Sequence, residues 1–540
     1  MKKLSLKKTL KKLALVPALG LALVQAAPAS TGEYLTGDFH QHTTYSDGSY
    51  SYDFMMQKNN EFDLDWWANS GHGGGFTRDG RYGRDNGGDK FWDSYTPNPI
   101  IGDVRYSGGH QIMWRWQSLR DYNILDLLKA RGDYPDKMIY QGVEWNIPGH
   151  EHCSVSIITG QTDPVSPNTN ALGEFDYKFD KNDSDLTGGA LQGWVKSTLP
   201  NLHPKAVEGV TWLQTNHRFT SYAIPAHPER QGVWQPNKTS TGYNVEHFRD
   251  LNNAGPDVCF GFEGIPGHQA DPERGGFSPS RAIAGGTYGG AGYYTAKVGG
   301  LWDALLGEGR RWWNFASSDC HLHWTDGGDD FYPGEYQKTY LYVEDKDNLQ
   351  SYIDALRSGN AFVVNGDLIN ALDFTIYDRS YPKNKATMGQ ELQLKNNKPG
   401  IRIVIRFKSP EVNNNGDPVR VDHVDLIAGE VTGIVPPSNP DYTNATNPTT
   451  RVIATFTEND WREINGWKTI IYTVKNVNKN MYFRLRGTNL APNTPYETDV
   501  QGNPLQDKLA TEHLGLDGAD EAWADLWFYS NPIFVKKAAD

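Results

Sequence analysis

His40 and His42 stand two residues apart in Gly37-Asp38-Phe39-His40-Gln41-His42-Thr43, so on an extended strand both imidazoles leave the same face and reach a common point. Two neutral imidazoles so placed suit a transition metal. The turn signal Ser46-Asp47-Gly48 then returns a carboxylate beside them, the hard oxygen donor of a mixed histidine and aspartate site. A His-x-His pair alone is weak evidence, since paired surface histidines are common.

Further donor-type residues follow in order: Asn69-Ser70-Gly71-His72, Gly142-Val143-Glu144, Pro148-Gly149-His150-Glu151-His152, Pro225-Ala226-His227-Pro228 and Ser317-Ser318-Asp319-Cys320-His321. Several end an apolar run, such as Met138-Ile139-Tyr140 or Tyr222-Ala223-Ile224, and Gly or Pro lies close by in most. In this order and spacing they resemble the PHP family, the polymerase and histidinol phosphatase superfamily of metal-dependent phosphoesterases. The resemblance covers roughly residues 34 to 365 and rests on five ordered motifs, which makes it more specific than any one of them.

The resemblance implies roles residue by residue. His40, His42 and Asp47 match the first motif, His72 the second, Glu144 the acidic ligand that bridges metals, His227 the His-Pro motif, and Asp319 with His321 the last. The family needs one more histidine after Glu144, and either His150 or His152 could supply it. His152 is preferred because it directly precedes the Cys153–Ile158 strand, which leaves His150 to support a ligand or to contact substrate. This chain has Asn69-Ser70-Gly71 before His72, where relatives often carry an aspartate just before the histidine, which bears on how His72 is supported and how many metals are held.

Nine donors exceed the four of one tetrahedral zinc. They suit two or three divalent ions, Zn, Mn or Fe. Two cations a few ångströms apart activate water at neutral pH, polarise phosphoryl oxygens and stabilise the leaving oxygen, so in-line attack on phosphorus is the natural reaction. The expected substrate is a small phosphomonoester or phosphodiester. Asp47 is counted in the catalytic set as well as among the ligands, and His268, with His323 as alternative, is a candidate proton donor to the leaving group. Arg230, three residues past His227, is placed to bind a phosphate oxygen and is preferred over Arg218. Glu263, at the end of Cys259–Phe262, reads as a supporting residue. The competing readings are a carboxylic or carbamate ester hydrolase on the same cluster and, ranked last, a glycan-binding protein using the seventeen tryptophans.

Positioning these residues requires short strands that alternate with helices between Gly32 and Gly366. Tyr52–Glu61 and Trp116–Ala130 have helical spacing, the second with Leu119, Ile124, Leu127 and Leu128 on its apolar side, and Gly359 closes a helix that opens near Asp345–Leu349. The alternation predicts an α/β domain with largely parallel strands and ligands at one rim. The family implies a distorted (β/α)7-type barrel. Segments 73–117, 160–204 and 271–300 are long and polar enough to be substrate-selecting lids. Beyond Gly366 the pattern changes to short alternating strands, from Leu372–Ile376 to a last one over Phe528–Val535, which predicts an all-β sandwich domain over residues 367–540.

Met1 to Lys12 carries six lysines and no acid, Leu13–Val24 is uncharged, and Ala26, Ala27 and Ala29 offer small residues for cleavage, so residues 1–26 read as a signal peptide. The expectation is a periplasmic or secreted protein with no membrane segment after cleavage. Losing those six lysines takes the formal charge from −13 to −19, a balance that argues against nucleic acid as a partner. Thirteen of fifteen histidines precede residue 330, which places the chemistry in the first domain. Cys153, Cys259 and Cys320 are odd in number. They read as buried packing residues, with a Cys153–Cys320 disulfide left open.

Overall fold

In a computed structural model, which describes residues 32–161, 170–232, 242–277, 286–395 and 400–538, strand β1 (Glu33–Asp38) runs directly into the His40–His42 motif. The expected leader, residues 1–26, lies outside the described residues. Helix α1 (Tyr52–Glu61), capped by the Ser51 side chain accepting the Phe54 N–H, returns the chain to β2 (Trp66–Asn69), parallel to β1. Helix α2 (Ile124–Asp133) then leads to β3 (Met138–Gln141), parallel to β2. Each parallel step has a helical crossover, as parallel pairing requires. Leu119, Ile124 and Leu127 are buried as their spacing predicts, whereas Leu128 is 40% exposed.

After β3 the expectation of largely parallel strands fails. Strand β4 (Val143–Trp145) is antiparallel to β5 (His152–Ile157), since the six residues between them are too few for a crossover. Strand β6 (Ser221–Ala226) is antiparallel to β5 and lies between helices α3 (His203–Asn216) and α4 (Val245–Ala254), which pack against each other. Strands β7 (Gly261–Ile265) and β8 (Trp313–Ala316) form a separate parallel pair. Strand β9 (Gln337–Val343) comes back antiparallel to β1, and β10 (Ala361–Asn365) antiparallel to β9.

The ligand motifs nevertheless meet at one rim. His40, His72 and Asp319 follow the ends of β1, β2 and β8, and the antiparallel register Ala226↔His152 sets the start of β5 beside the end of β6. Isolated bridges Gln41↔Cys320 and His72↔Glu144 tie the motifs together. Beneath the histidines, the alternate residue Phe39 faces the core against Trp66, Tyr222 and Phe315. A fully buried side chain of this size contributes about 1.5–3 kcal/mol.

Gly366 does not mark a break in hydrogen bonding. Strand β10 pairs with Trp527–Ser530, which pairs in turn with Met481–Thr488, so one 11-stranded sheet holds β1, β2, β3, β9 and β10 together with strands from the last third. A five-stranded antiparallel sheet that includes Ala371–Asp378, Ile401–Lys408 and Trp467–Val474 shares a hydrophobic core with it, through Phe374, Ile405 and Phe407 against Leu426, Phe483 and Phe528. The single last strand expected over Phe528–Val535 is two, Trp527–Ser530 and Ile533–Lys536, divided at Asn531-Pro532 where proline has no N–H to donate. The three cysteines are buried and free, so the Cys153–Cys320 disulfide does not form. No helix among the described residues is long and apolar enough to cross a membrane.

Candidate metal centre

Four side-chain atoms define the centre. His40 Nε2 and His42 Nε2 are 3.2 Å apart. Glu144 Oε2 is 3.3 and 3.1 Å from them, and Asp319 Oδ1 is 3.1 Å from each. Donors about 2.0 Å from a common ion in tetrahedral array stand about 3.3 Å apart. Glu144 Oε2 and Asp319 Oδ1 are buried and have no hydrogen-bond partner among the described residues, and both oxygens face the point that the two imidazole nitrogens also face. The donor set fits a divalent transition metal.

Glu144 extends the cluster. Its Oε1 lies 2.9 Å from His152 Nδ1 and 3.1 Å from His227 Nε2, and its Oε2 2.8 Å from His72 Nδ1. A third group faces solvent: Asp47 Oδ2 is 3.2 Å from His72 Nε2, and Asp47 Oδ1 is 3.4 Å from His321 Nε2. The His42 Nδ1–H donates to Asp47 at 2.9 Å, which leaves Nε2 free to ligate. His40, His42, Asp47, His72, Glu144, His152, His227, Asp319 and His321 are thus brought together, with Glu144 shared between groups.

His150 is not among them. The chain turns at Gly149, whose φ of 82° is left-handed, and the extended segment begins only at His152, so the two histidines do not share a face. His150 Nε2 instead lies 2.8 Å from His203 Nδ1.

Electrostatics follow from burial of mixed charges. Burial by itself would lower His40 and His42, but Glu263, Asp319 and Glu144 around the first and Asp47 beside the second hold both well above the ordinary histidine range. His72 is likewise raised to about 9 against burial, by Glu144 and Asp47. Glu144 and Asp319 are held well below the carboxylate range despite burial, by His152, His72 and His40 for the first and by His40, His268 and Arg230 for the second. A cation entering the cluster displaces those protons, so its affinity falls as pH falls.

Supporting residues complete the site. His40 Nδ1 is 3.0 Å from both Glu263 oxygens, and Ser154 Oγ donates to Glu263 at 2.7 Å, so Glu263 orients His40 and fixes its tautomer. Glu151 Oε2 stands 3.4 Å from His227 Nδ1. His268 Nδ1 is held by Asp330, and its Nε2 lies 3.5 Å from Asp319 Oδ2. Asp330 also accepts the N–H groups of His321 and Leu322 at 2.6 and 3.0 Å. Arg230 donates from Nη1 to Asp319 at 3.0 Å and from Nε to the Gly275 carbonyl, while Nη2 is buried without a partner among the described residues. His323 is engaged at both nitrogens by Thr325 and Glu335, and Arg218 pairs with Asp257. His227, Asp319 and His268 all have positive φ, 29°, 49° and 55°, and such conformations cost about 1–3 kcal/mol each.

Of the expected lids, segment 73–117 reaches the site through Arg78, which donates to the carbonyls of Ser46 and Gly48 at 2.8 and 2.7 Å and so braces the turn bearing Asp47. Parts of the other two, 162–169 and 278–285, lie outside the described residues. Trp66, Trp67, Trp312 and Trp313 are buried in packing. Sequence reasoning missed Glu151, Asp330 and the bracing role of Arg78. Only the adjacency of Glu151 to His150 and His152 offered a signal.

No family model and no curated protein matches the chain. Among solved structures it is similar to a two-domain protein from Bacteroides vulgatus containing a predicted PHP-like metal-dependent phosphoesterase, at 13% identity and a TM-score of 0.33, over 88% of this chain and 93% of that one.

Proposed function

We propose that this chain is an exported metal-dependent hydrolase of small phosphoesters, with a distorted PHP-type barrel over residues 32–366 and a β-sandwich over 367–540. The observation that carries the reading is the buried tetrad of His40, His42, Glu144 and Asp319 at 3.1–3.3 Å, joined through the second oxygen of Glu144 to His152 and His227. His40, His42, Glu144 and Asp319 would hold one divalent ion, with Glu144, His72, His152 and His227 at a second position and Asp47 and His321 at the mouth. Such ions supply Lewis acidity toward a phosphoryl group and toward an attacking water.

The chain's own residues supply the rest. Arg230 Nη2, buried and without a partner among the described residues, can donate to a non-bridging phosphate oxygen. His268, held at Nδ1 by Asp330, presents Nε2 toward the centre to give a proton to the leaving oxygen. Asp47, the exposed member of the set, meets substrate first and is kept in place by Arg78. Glu263 and Glu151 hold His40 and His227 in orientation.

The test is product release from p-nitrophenyl phosphate, a matched phosphodiester and a matched carboxylic ester by protein reloaded with manganese or zinc. The expected result is turnover of a phosphate substrate that is lost on chelation. Turnover of the carboxylic ester alone would overturn the phosphoesterase reading and leave the metal site standing.

A further inference from the structure

His150, His203 and His247 come from three separate segments: the turn after Gly149, the first residue of α3 and the first turn of α4. One nitrogen from each lies within 4.8 Å of the others, and the ring centroids are 4.5–4.9 Å apart. None of these residues belongs to the Glu144 cluster.

Their protons are already assigned by neighbours. His150 Nδ1 lies 3.1 Å from the Gly242 carbonyl, an acceptor only, so Nδ1 carries hydrogen and Nε2 presents a lone pair. His203 Nε2 faces Asp250 Oδ2 at 3.3 Å, so its hydrogen sits there and Nδ1 presents a lone pair. These two lone-pair nitrogens face each other at 2.8 Å. Two neutral rings cannot hold that arrangement without a cation between them, either a shared proton or a metal. His247 closes the triangle. Its Nδ1 accepts the Asn244 N–H at 2.9 Å, so ligation costs it that bond or its remaining hydrogen and makes it the adjustable member. Burial, reinforced by His203, lowers His247 to about 3, so this ring stays neutral as a ligand must.

We infer that His150, His203 and His247 form a second and separate site for one divalent transition-metal ion of the zinc class. The donors are all imidazole nitrogen, which excludes the oxygen-seeking calcium and magnesium and suits zinc, nickel or copper. Asp250 on the far nitrogen of His203 is the carboxylate–histidine support such sites use. Three protein ligands leave a fourth position for water, and His203, with its side chain 18% exposed, is the side from which an ion enters. The site acts as a clamp. It ties the segment that delivers Glu151 and His152 to α3 and α4, and Tyr243, stacked on His150 at 4.3 Å, donates its hydroxyl to the His152 carbonyl at 2.8 Å. This assignment does not rest on the hydrolase reading.

The test uses the full chain, stripped with chelator and dialysed against zinc, with bound metal counted by elemental analysis. His203→Gln and His247→Gln should each hold one equivalent fewer than the parent and lose part of the zinc-induced rise in Tm. Glutamine at 247 keeps a side-chain acceptor for the Asn244 N–H. In a His42→Ala/His72→Ala/Glu144→Ala background, which removes two donors from each of the three groups of the Glu144 cluster and leaves the triad untouched, one tightly held zinc should remain with imidazole nitrogens in its X-ray absorption spectrum, and adding His203→Gln should remove it. Equal metal content in the parent and both glutamine variants, or no zinc in the triple-alanine background, would overturn the site and leave a proton shared between His150 and His203.

Discussion

Two histidine clusters flank Tyr243, and burial acts on them in opposite directions. Around Glu144, where carboxylates interleave with the rings, His72 is raised to about 9 against burial by Glu144 and Asp47. Around His203, where the ligand atoms are all nitrogen, burial and the neighbouring ring take His247 down to about 3. His152 shows that the rule is local: burial lowers it to about 4 against the pull of Glu144, and neighbouring His72 adds to the lowering. The lesson is that a buried histidine reports its immediate charge neighbours. On the proposed reading the mixed donors would hold more than one cation and the nitrogen triad one.

The comparison breaks most decisively at Asp319 or His40. Replacing either with alanine should lower turnover by about 10³-fold or more, about 4 kcal/mol of lost transition-state stabilisation, while circular dichroism stays that of the parent. Full activity in both purified variants would remove the Glu144 cluster as the active site. Next in size is Glu263→Gln, which keeps the shape but removes the negative charge on His40 Nδ1. Metal affinity measured by competition with a chromophoric chelator should fall about 10- to 100-fold, and an unchanged affinity would show that His40 needs no carboxylate behind it. Arg230→Ala should lower kcat/KM for a phosphate substrate by about tenfold or more, the loss of a charge-assisted hydrogen bond, with little effect on any carboxylic ester turnover. An equal loss on both substrates would mean that Arg230 serves only to hold Asp319.

The smallest effect extends the contrast to carboxylates. Burial and nearby Asp525 raise Glu521 to about 9, against Arg274. An acid whose folded pKa is raised binds its proton in the folded state through a range where the unfolded chain has lost it, so stability falls as pH rises from the ordinary glutamate range toward 9. Glu521→Gln should therefore narrow the difference in Tm between pH 5.5 and pH 8.5, read by thermal unfolding. A difference as wide as the parent's would place the charge elsewhere in that cluster.

Alternation along β1 was enough to put His40 and His42 on one face and Phe39 on the other, because side-chain direction in a strand is set by the backbone itself. The Tyr52–Glu61 helix, the Gly359 cap and the order of the donor motifs were legible for the same reason, each being decided within a few residues. His150 against His152 was not, since the choice turns on where the left-handed Gly149 ends the turn and the strand begins. Nor could local pattern show that Glu263 supports His40 from 223 positions away, that Asp330 holds His268, or that β10 joins a strand near the C-terminus. Sequence by itself determined which residue types were available and which way neighbours point. Tertiary structure decided which ring meets which carboxylate, because those pairings, and the proton positions that follow from them, exist only once the sheet has brought distant strand ends to one rim.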